Sequence, residues 1–286
     1  MNKYPVYIQA AASIHPENPL ENNAFSAKEP DYKEWIKDAG LRRRMSRIVK
    51  MGVTAGLQCL HLQNTKVDAI ITATGLGCLS DTEKFLKSIS EQNEELLSPT
   101  PFIQSTFNTI GGQIALLTGN KSYNMTYVHR AFSFETALLD AMLMLQAGDA
   151  ENVLVGAVDE LTPTVFGILE RMGTFRKFFA GEGSSFFLLS RNKTDNTIAE
   201  IIDIDIFSGS FSEQEILAKQ TDFLKNSKAE NADVFSDKIY KQNCGEFHTA
   251  SAFGLYYACK QSDKNEKILV TNSFLNNHTS ILIDKF

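Results

Sequence analysis

The stretch Met125–Glu160 reads MTYVHRAFSFETALLDAMLMLQAGDAENVLVGAVDE and contains a complete strand–helix–strand unit. Met125–His129 has the pattern of a short strand, and Phe134–Ala147 is a strongly apolar segment of helical length. Asn152–Val158 is continuously apolar after its first residue, which is typical of a strand that is buried on both faces. Alternating strands and helices of this kind predict an α/β protein whose sheets are largely covered.

The same alternation continues on both sides of this unit. Further strands are predicted at Val6–Ala12, Val67–Ala73, Ser184–Ser190, Ile198–Ile206, Ile268–Asn272 and Thr279–Asp284. Further helices are predicted at Asp31–Leu60, Ser80–Gln92, Asn108–Leu117 and Glu246–Lys260. Ser80 precedes Glu83 by three residues, which is the spacing of a capping box. The segment Ser208–Lys238 is polar and partly helical, and no linker divides the chain, so residues 1–286 are expected to form one domain.

The composition is that of a globular protein, with 43% hydrophobic residues and a net charge of −6 over 286 residues. Met1–Pro5 has no signal-peptide core, and no stretch reaches the roughly 20 apolar residues of a membrane span, so a cytoplasmic protein is expected. Arg42–Arg44 is the one dense basic run, and no broad basic surface accompanies it, which argues against nucleic-acid binding. The four cysteines lack Cys-x-x-Cys spacing, so neither a metal site, nor a disulfide framework, nor a cofactor is expected.

Six segments, in this order along the chain, resemble motifs of the β-ketoacyl synthases. They are Arg43–Arg47 (RRMSR), Thr100–Ala115 (from TPF to QIA), Gln146–Glu160 (a helix end, Gly-Asp and a strand), Gly181–Ser184 (GEGS), His248–Gly254 (HTASAFG) and Asn272–Ile283 (NSF and a last strand). The resemblance implies a thiolase-like fold with duplicated, layered α-β-α-β-α architecture. Its first half would span about 1–191 and its second half about 192–286. Because the chain is shorter than an elongating synthase, the second half is expected to be trimmed.

The resemblance also implies a cysteine nucleophile at the N-terminus of the helix Phe134–Ala147, where the helix dipole favours a thiolate. Counting back from Gly148 without gaps places this position at Ala131, and slips of one or two residues place it at Phe132 or Ser133. No cysteine stands at any of the three positions. Phe132 and Phe134, together with Phe274 from the NSF motif, are the side chains expected at the acyl site.

Of the two histidines that the family uses for decarboxylation, one is retained in this sequence. The first belongs in Phe207–Lys238, and that segment contains no histidine. The second aligns with His248, although Phe247 replaces the usual glycine and Lys241 lies two residues too far upstream for the usual lysine. The glycine-rich gating loop has become Leu275–His278, which predicts a stiffer and more polar connection.

A family fold without its nucleophile favours a structural and specificity subunit with no catalytic residue of its own. The resemblance is to cysteine-less chain-length factors, in particular the short ones of aryl polyene and flexirubin-type pigment systems. Such a subunit would pair with an active ketosynthase through Met125–Arg130 and would meet an acyl carrier protein.

Two other functions remain open from the sequence. The chain could be an autonomous decarboxylase, acyltransferase or thioester hydrolase that uses His248 with a relocated nucleophile, either Cys244 or Ser133. His129, Ser133 and Glu135 could form a comparable set, although packing of Cys244 and helix capping by Ser133 are the simpler interpretations. The third function is a binding protein for an acyl carrier or a hydrophobic chain.

Overall fold

The computed structural model describes residues 4–17, 24–261 and 266–286. The first three residues of Met1–Pro5, the segment in which no signal-peptide core was found, lie outside the described residues. The strands are β1 (Tyr7–Ile14), β2 (Ala24–Phe25), β3 (Ala69–Ala73), β4 (Tyr123–Tyr127), β5 (Asn152–Asp159), β6 (Ala180–Gly181), β7 (Gly183–Ser190), β8 (Ala199–Ser208), β9 (Asp233–Phe235), β10 (Lys267–Phe274) and β11 (Asn277–Lys285). The helices are α1 (Ala39–Arg44), α2 (Arg47–His61), α3 (Leu79–Glu91), α4 (Pro99–Gln104), α5 (Thr109–Thr118), α6 (Ser133–Ala147), α7 (Pro163–Arg171), α8 (Glu213–Asn226), α9 (Asp237–Cys244) and α10 (Ala250–Gln261).

The main sheet repeats one strand pattern twice in the order β4-β3-β5-β7-β1-β8-β11-β10-β9. In β3-β5-β7-β1 a parallel pair is followed by two antiparallel pairings, and β9-β10-β11-β8 follows the same rule. The first set continues into β4, whereas β9 has no further neighbour among the described strands. Only Tyr7–Glu200 and Ile8–Ala199 pair β1 with β8, so the two sets meet at a narrow seam. This confirms the predicted duplication with a trimmed second half.

Three hydrophobic clusters pack five layers of secondary structure together. The first joins α2 and α5 to one face of the first strand set, through Ile48, Met51, Ile110, Ile114, Leu154 and Phe186. The second places α6 and α10 between the two strand sets, through Phe134, Leu138, Phe187, Leu255, Val270 and Ile281. The third packs α8 on the outer face of the second set, through Phe223, Leu224, Leu269 and Leu282. The layering is therefore α-β-α-β-α, as predicted.

The long helix predicted at Asp31–Leu60 is wrong, because the chain breaks at Met45 and Ser46. Both residues adopt extended backbone, with ψ of 131° at Met45 and 174° at Ser46. Asp38 caps the short α1 by accepting the N–H of Leu41 at 2.8 Å, and α2 starts at Arg47. The break lets Arg47 reach a buried carboxylate on another segment, which the helical periodicity does not reveal.

The predicted capping box at Ser80 and Glu83 is also wrong. Helix α3 begins at Leu79, and both donors of Ser80 bond Glu160 instead, the N–H at 2.9 Å and the hydroxyl at 2.8 Å. Glu83 accepts the hydroxyl of Thr162 at 2.5 Å. Partners that lie far away in sequence therefore replace the local hydrogen bonds that the spacing predicts.

The remaining predicted strands and helices are present with shifted ends. The helix predicted from Glu246 begins only at Ala250, because the backbone of Glu246 bonds Phe179 and Gly181. The polar segment 208–238 contributes α8, β9 and the first two residues of α9. In the part of the chain that the structure describes, no helix is long and apolar enough to cross a membrane.

Candidate functional site

The turn from β4 to α6 carries the residues at which the nucleophile was expected. His129–Phe132 form this turn, and Ala131 is 1% exposed. Arg130 adopts a left-handed backbone with φ of 55° and has an exposed side chain. The turn therefore presents Arg130 to solvent and buries Ala131 beneath it.

Ser133 and Glu135 do not form a catalytic set with His129. Ser133 is the first residue of α6; its hydroxyl accepts the N–H of His129 at 2.8 Å and donates to the carbonyl of Arg130 at 2.7 Å. Glu135 is fully buried and accepts the hydroxyl of Thr279 at 2.9 Å, and burial raises its pKa. The imidazole of His129 lies near Thr136. Ser133 is thus bonded to backbone and has no side-chain base beside it.

His248 lies at the centre of the site. It is 6% exposed, and its ring centroid lies 4.6 Å from that of Phe274. Burial lowers the pKa of His248; the charge of Arg130 lowers it further, whereas Asp159 raises it. The imidazole is therefore neutral near pH 7.

Asp159, at the end of β5, positions the segment that carries His248. One carboxylate oxygen accepts the hydroxyl of Thr74 at 2.9 Å and the N–H of Gly75 at 2.8 Å. The other accepts the N–H and hydroxyl of Thr249 at 3.0 and 2.8 Å. The carboxylate thereby joins the loop after β3 to the segment before α10, with His248 between them.

Cys244 does not meet His248. It ends α9 and is separated from His248 by the turn at Gly245, so the two residues share no helix face. Its thiol is fully buried and donates to the carbonyl of Gly245 at 3.3 Å. Burial raises its pKa well above the ordinary value, which removes the thiolate needed for a nucleophile.

A buried ion pair lies next to His248. Lys241 is 1% exposed, and its ammonium group contacts Glu246 at 2.9 and 3.1 Å, the carbonyl of Ser273 at 2.8 Å and Asp237 at 3.5 Å. Burial raises the pKa of Glu246 to about 7, although Lys241 opposes this shift. Glu246 was not selected from the sequence; its place two residues before His248 was the available signal.

A small cavity adjoins His248 and Glu246. Its volume of about 20 Å³ is enough for one or two waters. Among its lining residues are Glu160, Glu246, His248 and Phe274. Phe134 lies instead in the core, with its ring 5.7 Å from that of Phe187, and Phe132 is half-buried in the turn.

Two of the family-like motifs meet in one ion pair. Arg47 donates to both oxygens of Glu182, at 2.5 and 2.6 Å, and Glu182 also accepts the N–H groups of Ala27 and Leu161. Burial opposes the charge of Arg47, but the two acids beside it, Glu182 and Glu29, raise its pKa. The ion pair therefore stabilises the fold, and the Gly181 end of the second motif reaches the cavity that His248 and Glu246 line.

Two arginines of the basic run Arg42–Arg44 donate to backbone carbonyls of α1 and of the segment just before it. Arg42 donates to the carbonyls of Ile36 and Lys37, and Arg43 donates to that of Ala39. Arg44 is exposed. Among the described residues, no three His, Cys, Asp or Glu side chains are grouped so that they could bind a metal ion.

A family model described as "Beta-ketoacyl synthase, N-terminal domain" matches residues 13–177. A search of curated proteins finds no match. The structure of "the ishigamide ketosynthase/chain length factor" is similar with a TM-score of 0.81 and 13% identity, over 99% of each chain. AntDE:AntF, a type II PKS acyl-carrier protein in complex with its ketosynthase bound to the hexaketide, gives 0.81 and 17% over 100% of each chain. The ketosynthase ApeO in complex with its chain length factor ApeC from Xenorhabdus doucetiae gives 0.63 and 15%, over 99% of this chain and 100% of that one. These likenesses establish the thiolase-like fold over the full length.

Proposed function

The chain belongs to the β-ketoacyl synthase family, and from this premise we propose that it is a chain-length-factor-like partner of an active ketosynthase without condensing activity of its own. The observation that carries the proposal is the turn between β4 and α6. Counting along the sequence assigns the nucleophile position of a condensing enzyme to this turn, which consists of His129-Arg130-Ala131-Phe132 and offers no thiolate. The nearest hydroxyl, that of Ser133, is held by backbone groups.

The edge of the sheet supports the proposed partner. β4 is the outermost strand of the first set, so one side of its backbone has no strand neighbour among the described residues. Tyr123 and Met125 on β4 are exposed, as are Leu116 on α5 and Leu139 and Leu143 on α6. An open edge flanked by exposed apolar side chains is typical of a surface that another sheet covers. A ketosynthase that offers its own equivalent edge would extend the sheet across the two subunits.

The finer parts of the proposal rest on the similar structures and on the sequence motifs. Two of the similar structures are named as ketosynthases with chain length factors, and one contains an acyl-carrier protein. By analogy, the pair would act on carrier-bound acyl chains in the cytoplasm, in an aryl polyene or flexirubin-type pathway. Here the subunit would shape the acyl tunnel of its partner.

An autonomous decarboxylase is the second candidate, and the neutral, buried imidazole of His248 is the observation in its favour. It would need no nucleophile. It would also need a second group to polarise the thioester carbonyl. The segment in which the family's first histidine was expected has no histidine and instead places Asp237 beside Lys241.

Co-expression with a tagged, cysteine-bearing ketosynthase tests the proposed partnership. The native chain should co-purify with the synthase, and Met125→Lys on the β4 edge should abolish this. Leu217→Lys is the matched control, because Leu217 is also exposed but lies on α8, against the outer face of the second strand set. Equal recovery of both variants with the synthase contradicts the proposed interface.

Intact-mass measurement separates the two candidates. After incubation with acyl- and malonyl-carrier thioesters, the chain should carry no adduct, and condensation should require both subunits. An acyl adduct on Ser133 or Cys244, or conversion of malonyl to acetyl thioester by the isolated chain, contradicts the proposal.

A further inference from the structure

The hairpin of β10 and β11 places a serine directly opposite a histidine. Ser273 pairs with His278 in the antiparallel register, so both side chains point to the same face of the sheet. The hydroxyl oxygen of Ser273 lies 2.9 Å from Nδ1 of His278. A nucleophile and its base lie within about 2.6–3.2 Å of each other, so this pair has the geometry of a general base and the hydroxyl that it activates.

The pair lies on the α8 side of the second strand set. Side chains alternate along a strand, so Ser273 shares a face with Leu269, and His278 shares a face with Leu282. Both leucines belong to the third hydrophobic cluster, which packs under α8. Neither Ser273 nor His278 lines the cavity that His248 lines. The pair is therefore separate from the site around His248.

The imidazole of His278 is held in one orientation by its neighbours. It is 4% exposed, and its ring stacks on that of Phe207 with centroids 5.2 Å apart. The ring of Phe211 lies 6.0 Å away. Burial lowers the pKa of His278, which keeps the ring neutral near pH 7, whereas a hydrogen bond to the backbone of Gly209 opposes this shift. A neutral ring that donates to this backbone has its other nitrogen available to accept the proton of Ser273.

The surroundings of Ser273 suit an apolar ligand. Ser273, Phe207 and Phe211 are all half-buried, so each keeps part of its surface exposed. The two phenyl rings meet edge to face with centroids 5.8 Å apart. Nζ of Lys219, on α8, lies 5.2 Å from the centroid of Phe207 and 4.8 Å from that of Phe211. An apolar group can rest on these rings, and the charge of Lys219 favours a negative oxygen that forms beside them.

We propose that Ser273 and His278 form a second functional site, a serine esterase for small apolar esters. The oxygen of Ser273 attacks the carbonyl carbon of the ester while its proton passes to Nδ1 of His278. The bond between the carbonyl carbon and the alkoxy oxygen then breaks, and the departing alcohol takes that proton. Water next attacks the acyl-serine; one of its protons passes through His278 back to Ser273, and the carboxylic acid leaves. The net reaction consumes one ester and one water and gives one acid and one alcohol.

Esters of phenols suit this geometry best. A phenolate leaves readily without full protonation, so general-base catalysis by His278 suffices to displace it. Its ring also matches the aromatic surface of Phe207 and Phe211. The pair lies on strands other than β4 and away from the turn before α6, so the activity is independent of the proposed partnership.

Hydrolysis of p-nitrophenyl butyrate by the full chain tests the site, together with intact-mass measurement after treatment with a fluorophosphonate. The native chain should release p-nitrophenol above the buffer rate and carry one phosphonyl group on Ser273. Ser273→Ala should abolish both. His278→Gln should lower kcat/KM at least about a hundred-fold, as expected for the loss of a general base. Ser210→Ala is the matched control, because Ser210 is an exposed serine in the loop after β8, and it should behave like the native chain.

Ser273→Cys measures the base independently of ester turnover. The four native cysteines are buried and should react little, so an iodoacetamide adduct reports residue 273. The imidazole beside the new thiol should lower its pKa, so at about pH 6.5 this variant should be labelled at least about ten-fold faster than Ser210→Cys. Adding His278→Gln should remove this advantage.

Ester hydrolysis that persists in Ser273→Ala, or a phosphonyl group on another residue alone, overturns the proposal. So does a native chain that shows neither hydrolysis nor adduct, and so does equal labelling of Ser273→Cys and Ser210→Cys. If the hydrogen bond only supports the hairpin, Ser273→Ala and His278→Gln lower the urea midpoint while residue 273 of the native chain stays unreactive. Co-purification with a ketosynthase is unaffected by either result, so the esterase and the proposed function fail separately.

Discussion

At the scale of single residues, His248 is positioned by packing and by its neighbours in sequence. Its ring lies between Gly75 and Phe274, and Asp159 bonds both Gly75 and the adjacent Thr249. A Cβ at Gly75 would lie 2.2 Å from the Cβ of His248. The absence of a side chain at residue 75 is therefore a condition for the place of the imidazole.

Gly75→Ala should consequently destabilise the protein and displace His248. Overpacking of this kind typically costs about 1–3 kcal/mol in the free energy of unfolding, which urea denaturation measures. Gly112→Ala is the control: a Cβ there meets nothing within 4 Å on α5, and alanine favours a helix. Equal stability of the two variants contradicts the close contact between Gly75 and His248.

Glu246 should make stability depend on pH. Its pKa is raised to about 7 in the folded protein, so between about pH 4.5 and 7 the folded state binds more protons than the unfolded state. By linkage, the free energy of unfolding falls as the pH rises through this window, on the order of 3 kcal/mol from this group.

Urea denaturation at several pH values, compared with Glu246→Gln, isolates this contribution. The stability difference between the native chain and Glu246→Gln should change in favour of the variant as the pH rises from 5 to 7. Gly112→Ala, which removes no ionisable group, should give a difference that does not vary with pH. A constant difference for Glu246→Gln as well contradicts the raised pKa.

His248 was selected from the sequence because the motif around it is long enough to align, and in the structure it lines the small cavity. The sequence was not sufficient for Glu246, whose partner Lys241 reaches it around the end of α9, or for Asp159 as a bridge between two loops. Arg130 was passed over because counting back from Gly148 compares residue types, whereas the left-handed backbone appears only in three dimensions.

At the scale of elements, the connection between β10 and β11 is a tight hairpin. Phe274 pairs with Asn277, which leaves Leu275 and Asn276 as the turn. Leu275 is 62% exposed and has φ of 54°. The turn therefore carries strain in a residue whose side chain packs on little, directly after the ring that contacts His248.

Leu275→Gly should raise the free energy of unfolding slightly. Relief of the left-handed strain gains about 1–2 kcal/mol, and the added freedom of the unfolded chain offsets about 0.5–1 kcal/mol of it. Leu275→Val should be destabilising, because a β-branched residue tolerates this region poorly. Thermal and urea unfolding decide the order; a valine variant more stable than the glycine variant contradicts the strained turn.

Strands with a long apolar run were predictable to within a residue, whereas the ends of several helices were not. Strands β5 and β7 were placed within one residue because each contains an uninterrupted apolar run, Val153–Val158 in β5 and Phe186–Leu189 in β7. The break between α1 and α2 was missed because the ion pair that accompanies it joins Arg47 to Glu182, a partner 135 residues away. Long-range polar contacts leave no periodic signal, so they decide the ends of elements without being visible in a sequence window.

At the scale of the whole molecule, the two strand sets depend on each other through the layer between them. Only two residue pairs join β1 to β8, so backbone pairing contributes little at the seam. The second hydrophobic cluster, in contrast, joins Phe187 of the first strand set and Ile281 of the second to Phe134 of α6 and Leu255 of α10, which lie between the sets. Separating the two parts would expose this apolar layer to water, which favours cooperative unfolding of the chain.

The four cysteines provide the test. All are free and buried, with Cys59 and Cys78 in the first part of the chain and Cys244 and Cys259 in the second. Burial raises the pKa of Cys59 and Cys259 to about 12, so none should react with a thiol reagent in the native state. In increasing urea, pulse labelling of the thiols followed by peptide mass spectrometry should give all four cysteines one common unfolding midpoint.

Labelling of Cys244 and Cys259 at a lower urea concentration than Cys59 and Cys78 would show that the shared apolar layer does not couple the two parts of the chain. The trimmed second set would then have to rely on the proposed partner subunit for its stability, and the same measurement on the co-purified pair would bring the two midpoints together.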